Sequence, residues 1–598
     1  MPTVHIEPMG KSFVAAKGSI LRDILTREGI LLDYPCGGKG SCRKCRVTVD
    51  PRPASGKGAL KESETADGIR LACQLALFAD CTVTVPQERL LRYAAGHEWG
   101  DADIRAAIGG ASALRRVKVR LAEPSLDDQR ADWERLAAGL KEQGITAQLP
   151  DTASLDKLPQ ALRKTDWTIE TLCEGQEFLW LTSGPGRRSC GFGIDLGTTT
   201  VDIALVDLET GELLARKTLL NSQVAFGADV ISRAMSFHDD PWPVRQAALH
   251  TIEEGAREIL SQTGVLPDEV LRTMVVGNPI MIHILNGIDP YQLTRVPYAP
   301  VTCRSLRGMP RDFDWTFQEH GFVETLPLVS AYVGADTIGM IIALGLGRED
   351  TTTLSIDIGT NGEMVLARGG ELITTSTAAG PAFEGAQISC GMRALEGAIH
   401  DVLIAADGSL TVQVIGAGAP RGICGTGLVS GIARLLERGV VDSTGRLLAG
   451  KEIDDQRLRG RVFSPGNELA FALSDDRSVY ISQGDIRTMQ LAKGAVRTGI
   501  ETLLDVTGVA IGSLDALRLA GNFGSGLDPR AAMRIGLIPE MDPGKVEVVG
   551  NAALRGAVMA LLSREARDMA ERAALQAKFI ELGARPEFQT RFMESMLF

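Results

Sequence analysis

Several things are scarce in this 598-residue chain. Aromatic residues make up 5%, there are seven histidines, and Lys plus Arg total 63 against 75 Asp plus Glu, a net charge of −12. That acidic balance argues against a nucleic-acid backbone as partner and would steer in a protein carrying a basic patch. His5, His97, His238, His250, His283, His320 and His400 stand alone at unrelated spacings, and each reads as a surface or satisfied side chain. There is no run of about 18 apolar residues, the length a membrane-crossing helix needs. The nearest approach, Thr337 to Gly347, is short and broken by glycine, and reads as a buried helix. Met1–Gly10 carries Glu7 and Pro8 and lacks a signal-peptide pattern, so a cytoplasmic protein is expected. Gly191-Phe-Gly193-Ile-Asp-Leu-Gly197 misses the dinucleotide-binding spacing by one residue, which disfavours a flavin-linked reductase. Single cores stop growing at roughly 250–300 residues, so several domains are expected.

Cysteine is present and unevenly spread. Of ten cysteines, four form a group: Cys36-x5-Cys42-x2-Cys45, then Cys73 within Arg70-Leu-Ala-Cys73-Gln74. In a reducing compartment, thiolate ligation is the better use of such a group than disulfides. A [2Fe–2S] cluster needs four converging thiolates; the plant-type pattern has a first gap one residue shorter, and the longer gap here resembles the adrenodoxin-like ferredoxins. Gly37-Gly38-Lys39-Gly40-Ser41 lets backbone N–H groups wrap a cluster closely. The competing readings are a zinc knuckle, which usually needs two paired ligand knuckles, and unligated thiols. Cys81 and Cys173 read as packing residues.

The second feature is an internal repeat. Gly193-Ile-Asp195-Leu-Gly197-Thr198-Thr199 is followed by a strand Val201–Leu208, a Thr210-Gly211 turn and a strand Glu212–Thr218. Ser355-Ile-Asp357-Ile-Gly359-Thr360-Asn361 is followed by Glu363–Ala367, a Gly369-Gly370 turn and Glu371–Thr375. A glycine turn with hydroxyl and amide donors suits phosphate, and a strand-end carboxylate suits Mg²⁺. Two such loops in equivalent contexts predict two similar lobes facing one cleft, with Asp195 and Asp357 pointing into it. The spacing resembles the actin, Hsp70 and sugar-kinase ATPases. A third loop, Gly521-Asn522-Phe-Gly524 after a strand Ala516–Leu519, is expected beneath adenosine, and Gly425 in Gly422-Ile-Cys-Gly425-Thr426-Gly427 near the phosphates. Glu384 and Glu363 are candidates for orienting an attacking water.

The chain divides into residues 1–86 (hairpin Thr3–Pro8 and Ser12–Ala15, helix Ile20–Glu28, strands Arg46–Val49 and Cys81–Val85), a linker 87–114, a small αβ domain 115–188 and a large unit 189–598. This whole layout resembles the reductive activators of corrinoid-dependent enzymes. Besides the loops, the resemblance rests on Gly277-Asn278-Pro279, Gly287-Ile-Asp289-Pro290, Tyr332-Val-Gly334-Ala-Asp336-Thr337, Ala379-Gly-Pro-Ala-Phe-Glu384-Gly and Gln483-Gly-Asp485-Ile-Arg487. Many relatives read Gly-Asn-Thr where this chain has Pro279.

The resemblance implies a multidomain α/β fold: an N-terminal β-grasp ferredoxin-like [2Fe–2S] domain, a small αβ middle domain and a two-lobed duplicated RNase-H-like ATPase. It implies a [2Fe–2S] cluster, ATP and Mg²⁺ as cofactors, a corrinoid protein and an upstream electron donor as partners, and a homodimer. The implied activity is one-electron return of Co(II) to Co(I) with ATP consumed. If the cobalt couple lies about 0.2 V below the cluster, the step costs roughly 4.6 kcal/mol, which nucleotide or binding energy must offset. The chain has no Asp-x-His-x-x-Gly segment, the lower-ligand motif of corrinoid carriers, so the corrinoid belongs to the partner. Ser389, in Ala386-Gln-Ile-Ser389-Cys390-Gly391, is a candidate to offer cobalt an oxygen. Two other readings stay open: a small-molecule kinase with a fused redox-sensing ferredoxin domain, and a non-catalytic nucleotide-sensing module.

Overall fold

The computed structural model describes the chain except for residues 28, 29, 31, 33–37, 39, 41, 42, 44, 53, 54, 87–113, 148, 150, 151, 175, 176, 182–186, 228, 349, 386, 417 and 525. Cys36, Cys42 and nearly all of the expected linker therefore lie outside the described residues.

Near the N-terminus, Thr3–Glu7 and Lys11–Val14 form the expected antiparallel hairpin. Thr3–Glu7 also pairs in parallel with Cys81–Thr84, giving a mixed five-stranded sheet that continues through Arg46–Asp50 to Ile69–Leu71. Alternate residues such as Val4, Ile6, Val47 and Val49 are buried under the helix Leu21–Arg27 through Leu21 and Leu25, as period-two strands on one apolar face require. Cys81 joins this core, and burial pushes its thiol upward, in keeping with a packing role.

Leu114–Arg120, Thr168–Glu174 and Glu177–Leu181 form an antiparallel sheet, accompanied by helices Asp132–Glu142 and Thr152–Lys164. Cys173 is fully buried there. Leu114 and Leu172 belong instead to the core of the neighbouring lobe. Glu174 fixes the junction: its carboxylate accepts from Arg567 and lies 3.5 Å from Arg272, with both arginines and the glutamate largely buried.

The rest shows the duplication directly. In the first lobe the sheet runs Leu213–Leu220, Thr200–Asp207, Cys190–Leu196, Val270–Gly277, Phe322–Thr325, then Arg307–Gly308. In the second it runs Glu371–Thr377, Gly362–Arg368, Thr353–Ile358, Ala516–Ala520, Val546–Gly550, with Lys578–Phe579 added beyond Glu371–Thr377. Each lobe thus has an antiparallel meander of three strands followed by two parallel ones in the same order. Parallel strands need crossover connections. The second lobe supplies one with the helix Gln483–Thr507, which Ser482 caps and Gly508 ends at φ 63°.

The final segment departs from expectation. The sequence suggests an amphipathic run from Asn551 to Phe598 that packs on its own lobe or on a second subunit, but Ala552–Leu562 is buried on nearly every face. It packs on helix Ala335–Ala343 and on strands Cys190–Leu196 and Val270–Gly277, all of the first lobe. Small residues allow the crossing: a Cβ on Gly556 would collide with the Gly339 carbonyl oxygen, and one on Gly193 would meet Val558 Cγ2 at 2.7 Å. The apolar stretch near Thr337–Gly347 is indeed a buried helix, Ala335–Ala343. Among the described residues no helix is long and apolar enough to cross a membrane.

Candidate functional site

The two repeats meet at a cleft of about 450 Å³. Strands Cys190–Leu196 and Thr353–Ile358 deliver Asp195 and Asp357 to its floor, and the turns that follow bring Gly197, Thr198, Thr199, Gly359, Thr360 and Asn361 to its walls. Glu384, Gly425 and Gly521 line it too, so the structure brings together all but two of the expected nucleotide-site residues. The exceptions are in the third loop. Phe523 and Gly526 line the cleft, whereas Gly524 is not among its lining residues and its nearest neighbours are backbone atoms of Leu519. The Asn522 side chain is not described.

Both repeats set one carboxylate across from another. Asp195 pairs in register with Asp202, and Asp357 with Glu363. Like charges directly opposite on adjacent strands are unfavourable. In the first lobe the cost is partly offset, because Asp202 accepts from the Thr218 hydroxyl and lies 3.3 Å from Arg216 Nη2. Asn551 Nδ2 bridges the pair, at 2.9 Å from Asp195 and 3.2 Å from Asp202. Beside the second pair, Asp336 of the first-lobe helix Ala335–Ala343 adds a further carboxylate. Burial, reinforced by Asp336, pushes Asp357 up to about 7. Burial and then Asp202 hold Asp195 well above the usual carboxylate range, and burial followed by Asp336 and Asp357 does the same to Glu363. Negative charge packed this densely calls for a cation. Among the described residues no three side chains form a ready-made metal site.

Backbone geometry fits an anion above these carboxylates. Gly521 has φ 84°, and a Cβ there would collide with Asp357 Oδ1, so only glycine lets this loop lie against the carboxylate. Gly425 opens the helix Gly425–Glu437, and a Cβ on it would collide with the Phe383 carbonyl oxygen. The positive end of that helix therefore sits at the cleft wall. Phe383 and Phe523, their rings 4.9 Å apart, give the cleft an apolar side suited to a base.

Glu384 does something the sequence did not suggest. Its two carboxylate oxygens accept from the hydroxyls of Thr199 and Thr360, one from each repeat, and so tie the two Gly-Thr loops together across the cleft. Two asparagines brace the first loop: Asn221 Nδ2 donates to the Gly197 carbonyl at 2.8 Å, and Asn278 Nδ2 to Thr198 Oγ at 3.3 Å. Asn278 also caps helix Pro279–Leu285, which puts Pro279 at the first helical position, where its missing N–H costs nothing. The departure from Gly-Asn-Thr is thus locally favourable.

Asn278, Asp336, Arg393, His400 and Asn551 line the cleft without having been singled out as site residues. A signal existed for two of them. Gly-Asn recurs at the ends of three parallel strands, as Gly277-Asn278, Gly521-Asn522 and Gly550-Asn551. Asp336 is the second residue of a helix whose N-cap, Gly334, packs on Gly277, a contact no local pattern announces.

At the N-terminal sheet, Cys45 directly precedes strand Arg46–Asp50 and Cys73 lies in the turn Ala72–Gln74; both are buried. The Ala72 N–H donates to the Cys45 carbonyl at 2.9 Å, so the two cysteines converge. Gly38, Gly40 and Arg43 all have φ between 59° and 85°, the left-handed conformation that turns N–H groups inward, and a Cβ on Gly38 would lie 4.0 Å from Cys73 Cβ. The described part of the loop fits a close-wrapped cluster. Arg22 joins this edge to the first lobe: its Nη1 donates to the Ala225 carbonyl at 2.9 Å and its guanidinium lies 4.9 Å from the Phe226 ring centroid.

Comparisons with known proteins agree along the chain. Residues 4–77 match the 2Fe-2S iron-sulfur cluster binding domain, residues 105–184 the RACo linker region, residues 190–349 the RACo middle region, and residues 351–598 the C-terminal domain of RACo, the ASKHA domain. The corrinoid activation enzyme RamQ of Eubacterium limosum is 29% identical over 596 residues, covering 97% of this chain and 96% of that one. The [Co(II) methylated amine-specific corrinoid protein] reductase of Methanosarcina barkeri is 27% identical over 396 residues, 61% of this chain and 68% of the relative. The solved structure of a reductive activator for corrinoid, iron-sulfur protein superposes with a TM-score of 0.73 at 32% identity, covering 100% of this chain and 98% of that one. The chain belongs to the family of reductive activators of corrinoid proteins.

Proposed function

We propose that this chain uses ATP·Mg²⁺ to drive one electron from a [2Fe–2S] cluster, held by Cys36, Cys42, Cys45 and Cys73, onto the Co(II) of a separate corrinoid protein, restoring Co(I). The observation that carries the nucleotide half is the meeting of both phosphate loops on Glu384 above Asp195 and Asp357. Thr198, Thr199, Thr360 and Asn361 would hold phosphates, Gly197, Gly359, Gly425 and Gly521 would let backbone approach them, and Asp195 and Asp357 would hold Mg²⁺ through water. A bound cluster supplies one-electron chemistry. The convergence of Cys45 and Cys73 beneath left-handed backbone supports this role for the N-terminal sheet.

Ser389 keeps its place as the candidate cobalt contact. It is exposed, and its hydroxyl lies 3.1 Å from Asp485, a carboxylate that burial raises. The same hydroxyl lies 3.1 Å from Ser482 Oγ. We further propose a homodimer and a separate upstream electron donor.

The test is a visible-spectrum assay. Anaerobically purified protein is mixed with candidate Co(II) corrinoid proteins, a reductant and ATP·Mg²⁺, and the Co(I) band is followed. Co(I) should form with at least one candidate, should require nucleotide, and should vanish in a Cys73→Ser variant that has lost its iron. No Co(I) with any candidate, together with phosphorylation of a metabolite, would replace this reading with the kinase one. A Ser389→Ala variant with full activation would remove Ser389 from the scheme.

A further inference from the structure

The cleft is rich in negative charge and short of positive. The carboxylates of Asp195, Asp336, Asp357, Glu363 and Glu384 line it, and Arg393 is the one lysine or arginine among its described lining residues. A nucleoside triphosphate brings further negative charge into the same space. Mg²⁺ neutralises part of it, through one or two carboxylates and the phosphates. Phosphate oxygens away from the metal need fixed donors. Arginine, always charged and carrying a planar fork of N–H groups, is the side chain best matched to them.

Interlocked backbone fixes where Arg393 enters. Gly385, directly after Glu384, has φ 74°, and a Cβ on it would collide with the Met392 carbonyl oxygen. A Cβ on Gly391 would collide in turn with the Gly385 carbonyl oxygen. The peptide group joining Met392 to Arg393 therefore rests on the backbone that carries Glu384. The Met392 N–H donates to the Ile423 carbonyl, and the Ile423 N–H to the Cys390 carbonyl, each at 2.9 Å. Ile423 leads through Cys424 into Gly425, the first residue of the helix Gly425–Glu437. The half-buried Arg393 thus reaches the cleft wall beside Glu384 and beside the positive end of that helix. Glu384 bonds Thr199 of the first-lobe loop. With adenosine on the second lobe beside Phe383 and Phe523, a chain of phosphates meets that first-lobe loop last.

We propose that Arg393 is a specificity-determining residue for nucleotide: its guanidinium takes the terminal phosphate of a bound triphosphate and so separates triphosphate from diphosphate. The contact moves no covalent bond. It brings a permanent positive charge to the cleft position richest in carboxylate, and it ties the bound phosphate to the segment Ser389–Arg393. It rests on the nucleotide reading given above.

The experiment is calorimetric titration of the full-length chain with Mg²⁺ and either adenylyl-imidodiphosphate, a non-hydrolysable triphosphate analogue, or ADP, which lacks the terminal phosphate. R393M should bind the analogue about tenfold more weakly than the parent, the scale of one charge-assisted hydrogen bond, and ADP within about twofold. R393K keeps the charge and loses the fork, and should lose about threefold on the analogue and nothing on ADP. Damage to the fold would lower both affinities together, so the ADP arm separates contact from structure. Should R393M fail to fold, R393K carries the comparison. Analogue affinity equal to that of the parent overturns the role of Arg393 alone, as does an equal loss on both ligands. A parent that binds neither ligand overturns the nucleotide reading and this inference together.

Discussion

The carboxylate cluster makes nucleotide affinity depend on pH in a way that can be worked from Asp357. Its carboxyl sits at about 7 against an ordinary 3.8, because of burial and then the charge of Asp336. It is therefore about nine-tenths ionised one pH unit above that value, half ionised at it and about one-tenth ionised one unit below. Holding Mg²⁺ requires the ionised form. Mg²⁺·nucleotide affinity should accordingly fall about ninefold from pH ~8 to pH ~6, with most of the loss below neutrality. Binding near pH ~6.5 should release protons, so the calorimetric heat should vary with the ionisation enthalpy of the buffer. The phosphates titrate in the same interval, and an Asp357→Asn variant provides the correction, since it shares their titration and lacks the carboxylate. Stability should run the opposite way. A carboxyl raised on folding contributes stability that is complete below its unfolded value of 3.8 and is lost as pH climbs to about 7. The metal-free protein should thus lose thermal stability over that interval, and Mg²⁺·nucleotide should restore it. Parallel pH profiles for the parent and Asp357→Asn would refute the argument.

Other expectations follow from single contacts. Gly521→Ala forces an alanine to φ 84° and drives its Cβ into Asp357 Oδ1, so nucleotide affinity should drop at least tenfold and stability by about 1–3 kcal/mol, read from titration and a melting curve. Glu174→Ala leaves Arg272 and Arg567 buried beside an empty position, although Arg272 retains Glu324 at 3.1 Å; a loss of about 3 kcal/mol in denaturant unfolding is expected, with the visible spectrum of the cluster unchanged. Arg22→Ala removes the hydrogen bond to Ala225 and the contact with Phe226, and should make the N-terminal sheet easier to cleave away by limited proteolysis without bleaching the cluster. A proteolysis pattern identical to that of the parent would show that this contact does not hold the two parts together.

Local chemistry was legible and crossings were not. That the two Gly-Thr loops share one cleft could be read because each is a short run of Gly, Thr and Asp in the same strand-turn setting, and because the run occurs twice. Cys45 and Cys73 stand out in the sequence for a similar reason, since thiolates at such a spacing have few other uses, and the structure brings their backbones together. Asn551 carried a signal only in the recurring Gly-Asn strand end, and its partner was not legible: it reaches an aspartate 356 residues away, and only the passage of its helix into the other lobe brings them together. Glu384 was legible as a cleft carboxylate but not as the bridge between two threonines, because that role depends on the distance across the cleft. Helix Pro241–Thr263 opens on a proline at its first position, where proline is favoured. The strand Ile69–Leu71 and the helix Glu62–Ala66 were missed, being too short to show a period.

The helix Ala552–Leu562 has a consequence for how this protein is made. It covers the sheet of the first lobe, yet it is encoded after nearly all of the second. A nascent chain that has emerged only as far as residue 350 holds the first lobe's entire sheet with Gly193, and Gly339 on the neighbouring helix, bare on the side this helix will close. The earlier lobe must wait, unsealed, for the later one to be translated. Cutting the gene at that point should yield a sticky, poorly soluble first fragment, and supplying residues 351–598 as a separate polypeptide should rescue it.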